Sequence, residues 1–484
     1  MWKSPPKEPL QEAKMINKLK NKRRIKARAA GIIVSFIAAA FFTSGVFAQK
    51  QAPPTGGQPK AFVFPKQTTY TLKNGMKVTL VQYGAVPKVL MQAVVRTGNI
   101  NEKSNGGWIS DVVSTMLKEG TATRSANQIA QEMADMGGAI YSSVSNDKTV
   151  VGGEVLSEFD AKYAELLADV VRNPRFSAED LENVRDNKLR ERSVAMAQAG
   201  NIAWKAFREQ IFKGHPYSSI FATEDDIKGY TLDGVKEYYN DQYGAARTHL
   251  YVVGQFDEAA VKKAIEAGFS SWKKGPEPIR NIPKIDAKRS FTLIDRPGAP
   301  QSTLYIGMPS PSPSDPDYIK FVVMDSILGG SFGSRITSNI RENKGYTYSP
   351  HSAVWTRFKT GYWYENADVT TESTGASIKE ILFEIDRLAG EAPTEAELQG
   401  IKNYLIGIYV LQNSTRSGVA GQLENVNYNE LGSGYIDTYV KKITDVTAKD
   451  VQEMAAKYLK KDKMTIIVVG DKAKVADQIK PYQN

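Results

Sequence analysis

The chain has 484 residues, 41% hydrophobic and 24% charged, with no cysteine: a soluble globular composition, too long for one ordinary core, that excludes disulfides and thiol catalysis. Of its formal charge of +10, +8 lies in the first 30 residues, which hold ten Lys or Arg and two acids, whereas beyond residue 48 there are 53 bases and 51 acids. That even balance offers no basic stripe for phosphates, so no nucleic-acid partner is expected.

Residues 1–48 read as a secretory signal peptide. "KLKNKRRIKARAAG" is a positive region, "IIVSFIAAAFF" an apolar one, and "SGVFAQ" places small Val46 and Ala48 before Gln49. The expected location is the periplasm. The alternative is an uncut leader anchored in the inner membrane, since 29–48 is nearly long enough to span. Membrane association is expected only in that case. Met15 would serve equally as the start. Residues 49–66, rich in Pro, Gly and Gln, read as a flexible tether.

An N-terminal domain is expected over 67–272. "TTYTLKNGMKVTLVQY" holds two alternating strands around Asn74-Gly75, a dipeptide that accepts positive φ. "VLMQAVVRTG" is a third strand. The helix "ISDVVSTMLKEGT" follows, with Ile109, Val112, Val113, Met116 and Leu117 as its apolar stripe. Asp111, Ser114 and Thr115 share its other face at i, i+3 and i+4. Ser125 caps the next helix with Gln128 three residues on, and helices near Ser157 and Ser177 continue an alternating pattern.

The stretch 273–290, "KKGPEPIRNIPKIDAKRS", reads as a linker to a C-terminal domain over 291–484. The two parts look duplicated. "IKGYTLDGV" matches "ITDVTAKDV" and "LYVVG" matches "IIVVG", both at an offset of 216 residues. The expected fold is α+β, with two similar domains, each a sheet packed with helices. "GGSFGS" at 329–334 lacks the Lys of a phosphate loop and reads as a tight turn. His215, His249 and His351 are far apart, and none has a second ligand at helical spacing.

The hairpin "LKNGMKV", the helix ending "MLKEGT", "HPY" at 215–217 and above all "GGSFGSRITSNIRENKGYTYS" at 329–349 resemble the pitrilysin/insulinase family of inverted-zinc metallopeptidases. The resemblance spans about 65–480. It implies a chain that forms half of a clamshell chamber. In active members the first helix carries H-x-x-E-H, two zinc-ligating His and a Glu general base. Here Asp111 and Thr115 fall on the His positions, Ser114 on the Glu position, and Glu191 near the downstream ligand. A hydroxyl is a poor zinc ligand and Ser cannot act as a carboxylate base, so the motif is degenerate and this chain is expected to bind no metal.

The family's other feature is retained: an Arg and a Tyr seven positions apart, Arg341 and Tyr348. The resemblance implies that they bind substrate backbone and steady an oxyanion, facing the zinc site in trans. The expected role is therefore a non-catalytic subunit, inactive alone. It would pair with a homologous subunit that carries H-x-x-E-H and the zinc, for periplasmic peptide hydrolysis. The alternatives are a non-catalytic scaffold or peptide-binding protein of the same fold, and a stand-alone hydrolase with an altered metal site.

Overall fold

The computed structural model describes residues 63–483 except 104–106, 286 and 433. The leader read over 1–48 and most of the 49–66 tether lie outside the described residues.

The expected hairpin forms. β1 (Thr68–Thr71) pairs antiparallel with β2 (Lys77–Gln82). Gly75 takes φ +92° in the connection, while Asn74 Nδ2 donates to Phe269 O at 2.7 Å. β3 (Lys88–Val95), β4 (Ile140–Val144), β5 (Thr149–Leu156) and β6 (Thr248–Gly254) complete a sheet of order β1-β2-β6-β3-β5-β4. β7 (Ser290–Asp295), β8 (Gln301–Pro309), β9 (His351–Arg357), β10 (Thr360–Thr370) and β11 (Thr465–Gly470) form a second, of order β7-β11-β8-β10-β9.

Apart from β1, the two orders are the same. β2 runs parallel to β6 as β7 does to β11, and the remaining neighbours are antiparallel in both. β4 and β9 are equivalent edge strands. The duplication thus extends from two short sequence matches to whole-sheet topology.

Helices alternate with the strands. In the first half they are α1 (Ile109–Met116), α2 (Ala126–Asp135), α3 (Asp160–Arg172), α4 (Ala178–Ala197), α5 (Ala199–Ile211), α6 (Glu224–Gly229), α7 (Leu232–Gln242) and α8 (Glu258–Phe269). In the second they are α9 (Tyr318–Asp325), α10 (Thr374–Gly390), α11 (Glu395–Gln412), α12 (Arg416–Asn429), α13 (Tyr435–Asp445), α14 (Ala448–Tyr458) and α15 (Lys472–Ile479). Local signals start many of them. Ser125 and Gln128 form a reciprocal capping box, and Ser177 and Thr394 accept N–H bonds at their helix starts.

One face of each sheet carries its own helices. Val78, Leu80, Val89, Met91, Leu250 and Val252 pack on Val112, Met116, Leu167 and Val171. Ile306, Trp363 and Val468 pack likewise with Ile381, Ile385 and Val451. The opposite faces are exchanged. Ala203, Phe207 and Ile211 of α5, from the first half, bury against Tyr305, Tyr362, Ile467 and Val469 of the second sheet. Val419, Ala420 and Leu423 of α12, from the second half, bury against Val81, Leu90, Val94 and Tyr251 of the first. Each half therefore covers the other, and residues 62–484 make one compact unit. Gly307 is small for this reason: a Cβ there would lie 2.8 Å from Phe207 Cζ and 2.3 Å from Trp363 O. No described helix is long and apolar enough to cross a membrane.

Candidate functional site

α1 follows the inner strand β3 and packs against α4. Val112, Val113 and Met116 bury its apolar stripe. Trp108, just before the helix, donates its backbone N–H to Tyr230 Oη at 2.6 Å and its indole N–H to Ile220 O at 3.1 Å. Asp111 Oδ2 accepts from Asn99 Nδ2 at 3.0 Å. Asn99 also donates to Glu102 Oε1 at 3.2 Å, which takes the Ser110 N–H at 3.0 Å and its hydroxyl at 2.5 Å. Burial pushes the Glu102 carboxyl up to about 8 against these donors, and burial likewise raises Asp111. Thr115 Oγ1 is turned back to Asp111 O at 2.9 Å, and Ser114 Oγ is buried with no partner among the described residues. From α4, Lys188 Nζ lies 2.8 Å from Glu191 Oε2.

The structure thus gathers Asp111, Ser114 and Thr115 on one helix and sets the helix of Glu191 beside them. It does not make them a zinc centre. The hydroxyl of Thr115 is spent on the backbone, Ser114 is neutral, Glu191 is paired with an ammonium, and one carboxylate with no imidazole remains. Among the described residues, no group of three or more His, Cys, Asp or Glu is placed to hold a metal ion. The histidines are engaged elsewhere. His249 is buried between Thr79 Oγ1 at 2.8 Å and Tyr251 Oη at 3.1 Å, and burial lowers it to about 3. His215 Nδ1 accepts from Tyr217 N at 3.1 Å, and His351 sits on edge strand β9.

The second-half site is built by the glycine-rich segment. α9 widens into a π turn over Ser326–Gly330, and another spans Thr337–Asn343. The glycines let this turn close onto strands. A Cβ on Gly329 would lie 2.6 Å from both Glu365 Oε2 and Ser352 Oγ. Arg335 anchors the segment with a two-pronged pair to Glu397, at 2.8 and 3.0 Å, and Asn339 Nδ2 donates to Glu384 Oε1 at 2.7 Å.

This scaffold presents Arg341. Its Nε donates to Tyr348 O at 2.8 Å and its Nη1 pairs with Glu342. The guanidinium carbon lies 4.6 Å from the Phe332 ring centre and 5.1 Å from that of Tyr348. Both rings are open to solvent, Phe332 at 73% and Tyr348 at 82%. Arg341 and Tyr348 therefore meet, although seven residues separate them, and they meet just before edge strand β9. A stacked, fully charged fork next to a free phenol suits recognition of a carbonyl oxygen or carboxylate.

Sequence reasoning missed Asn99, Glu102, Lys188 and Phe332. A signal existed for two of them: Lys188 lies one helical turn before Glu191, and Phe332 is the lone apolar residue in a glycine-rich turn.

Two family descriptions match the chain. Residues 77–224 match the insulinase (peptidase family M16) domain, and residues 229–405 match the "peptidase M16 inactive domain". An uncharacterized zinc protease of Rickettsia felis is 26% identical over 391 residues, covering 80% of this chain and 93% of the relative. A protein of Helicobacter pylori named non-peptidase homolog YmxG is 22% identical over 384 residues, covering 78% and 87%. Among solved structures, a peptidase M16 inactive domain from Pseudomonas fluorescens superposes with a TM-score of 0.76 at 24% identity, covering 84% of this chain and 98% of that one. With both of its halves matched in order, the chain belongs to the insulinase (M16) peptidase family.

Proposed function

We propose that this chain is the non-catalytic subunit of an insulinase-family zinc endopeptidase, exported to the periplasm and paired with a homologous subunit that bears H-x-x-E-H. The observation that carries this reading is the split between its two sites. The α1 positions hold donors unfit for zinc, while a partly buried Arg341 stands against an exposed Tyr348. The partner would supply the metal and the general base. This chain would close the other half of the chamber. An extended peptide would add to a free sheet edge, β4 or β9, through main-chain hydrogen bonds. The Arg341 guanidinium would swing from the Tyr348 carbonyl to the substrate carbonyl, and the Tyr348 hydroxyl would donate beside it, favouring the charge that develops as water attacks.

A second reading is a scaffold or peptide-binding protein of the same fold. It is favoured by the Helicobacter pylori relative that is named a non-peptidase homologue. A native pull-down of the tagged mature chain separates the two. A near-stoichiometric partner with H-x-x-E-H, and peptidase activity that appears only in the pair and is abolished by EDTA, supports the subunit reading. EDTA-sensitive turnover by the chain alone, or recovery without any such partner, overturns it.

A further inference from the structure

The first-half cluster contains a cation that the family's metal chemistry does not call for. Val184, Lys188 and Glu191 recur at i, i+4 and i+7 on α4, so they share the face turned toward α1. The Lys188 side chain is only 13% exposed. Its ammonium is 2.8 Å from Glu191 Oε2 and 5.6 Å from the Trp108 ring centre. Its charge also acts on Asp111, across the helix pair.

We infer that the Lys188 ammonium stands in place of the metal cation, so that the partly buried cluster between α1 and α4 carries its own positive charge and excludes divalent metal. The chemistry is direct. Where a metallopeptidase would neutralise converging ligands with a dication, this chain pairs one carboxylate, Glu191, with an ammonium held over the Trp108 ring, and that charge partly offsets the burial of Asp111. An arriving dication would meet a largely buried like charge, with Glu191 already paired and only Asp111 left as a strong ligand. The inference holds whether the chain serves a partner or acts as a scaffold, because it concerns the α1–α4 contact alone.

The test is a thermal melt of the full mature chain with and without zinc chloride, alongside metal content after dialysis. The wild type is expected to retain no stoichiometric zinc and to melt at the same temperature with or without it. Lys188→Met keeps the apolar stem, removes the charge and leaves Glu191 without its cation. It is expected to melt about 5 °C lower, and zinc is expected to recover part of that loss. Lys188→Arg, which keeps the charge, is expected to melt close to the wild type. If Lys188→Met does not fold, Lys188→Met/Glu191→Gln decides, since it removes both members of the ion pair. A near-normal melt of that double variant supports the inference, and failure to recover overturns it. A wild type that binds zinc stoichiometrically, or a Lys188→Met protein that melts like the wild type, also overturns it.

Discussion

The two halves share one sheet topology yet place their polar groups in opposite ways. In each, the helix after the inner strand carries an acid, half-buried in the first and buried in the second. In the first half it is Asp111, bridged by Asn99 to Glu102 and faced by Lys188 across a helix pair. In the second it is Asp325, which accepts from Ser352 Oγ at 2.5 Å and Trp363 Nε1 at 2.7 Å, with Glu365 buried nearby. The first cluster is closed by a charge pair. The second is closed by hydrogen bonds beneath the glycine-rich turn, and the following π turn sets Arg341 against the exposed Phe332 and Tyr348 rings. The frame is the same in both halves, while the polar groups differ.

The largest expected effects come from breaking the frame. Phe207 is fully buried between Tyr305 and Tyr362 of the other half's sheet, with ring centres 4.8 and 5.2 Å away. Phe207→Ala should cost about 3–5 kcal/mol and Leu423→Ala on the reciprocal helix about 2–5 kcal/mol, read by urea denaturation. Because each half covers the other, both should lower a single cooperative transition. A separate, earlier transition in either variant would show that the halves fold independently.

The contrast between the sites is sharpened in the proposed pair with an H-x-x-E-H subunit. Arg341→Ala should lower kcat roughly 10²–10³-fold. Tyr348→Phe should lower it by about tenfold or more, with little change in assembly. Asp111→Asn should leave kcat near the wild-type value, because that cluster faces no substrate. Equal loss from all three would erase the functional difference between the halves.

The second-half acids predict a pH effect. Burial raises Asp325 to about 6 and pushes Glu365 well above the carboxylate range. Such groups hold protons in the folded chain that the unfolded chain releases near pH 4. Stability therefore falls as pH rises from about 4 through 6 and beyond, the reverse of a salt-bridged acid. Glu365→Gln should flatten that fall and gain on the order of 1–3 kcal/mol at pH 8. Identical melting profiles for the two proteins from pH 5 to 8 would remove Glu365 as the source.

What was legible in the chain was local or repeated. Asn74-Gly75, the Ser125 cap and the β6 and β11 strand ends each act within a few residues, and the repeat offset tied the last two together. The exchange of α5 and α12 was not legible, because an amphipathic helix specifies that a face is buried but not which sheet buries it. Lys188 was overlooked for a related reason: its role exists only where two helices meet. Arg341 and Tyr348 stood out through family resemblance, whereas their stacking with Phe332 depends on a turn geometry that no spacing rule encodes.

The smallest predicted difference tests the repeat at its finest grain. Thr231 and Thr447, related by the 216-residue offset, both cap helices, α7 and α14. Thr231 Oγ1 accepts from Gly234 N at 3.1 Å, and a glycine there has no side chain to reach back. Thr447 Oγ1 accepts from Asp450 N at 3.1 Å, and Asp450 Oδ2 returns the bond by accepting from Thr447 N at 2.9 Å. Lys320 holds the other oxygen of Asp450 at 2.6 Å. Thr447→Ala removes a hydroxyl that both accepts from Asp450 N and donates to Asp450 Oδ2 at 2.7 Å, and Thr231→Ala removes a single acceptor. The expected costs are about 1–2 and about 0.5–1 kcal/mol in urea midpoints at unchanged m-value. Thr447→Ser should recover most of the larger loss, because the box needs an oxygen and not a methyl. Equal costs at the two caps would mean that Asp450 adds nothing, leaving the caps energetically as alike as their place in the repeat.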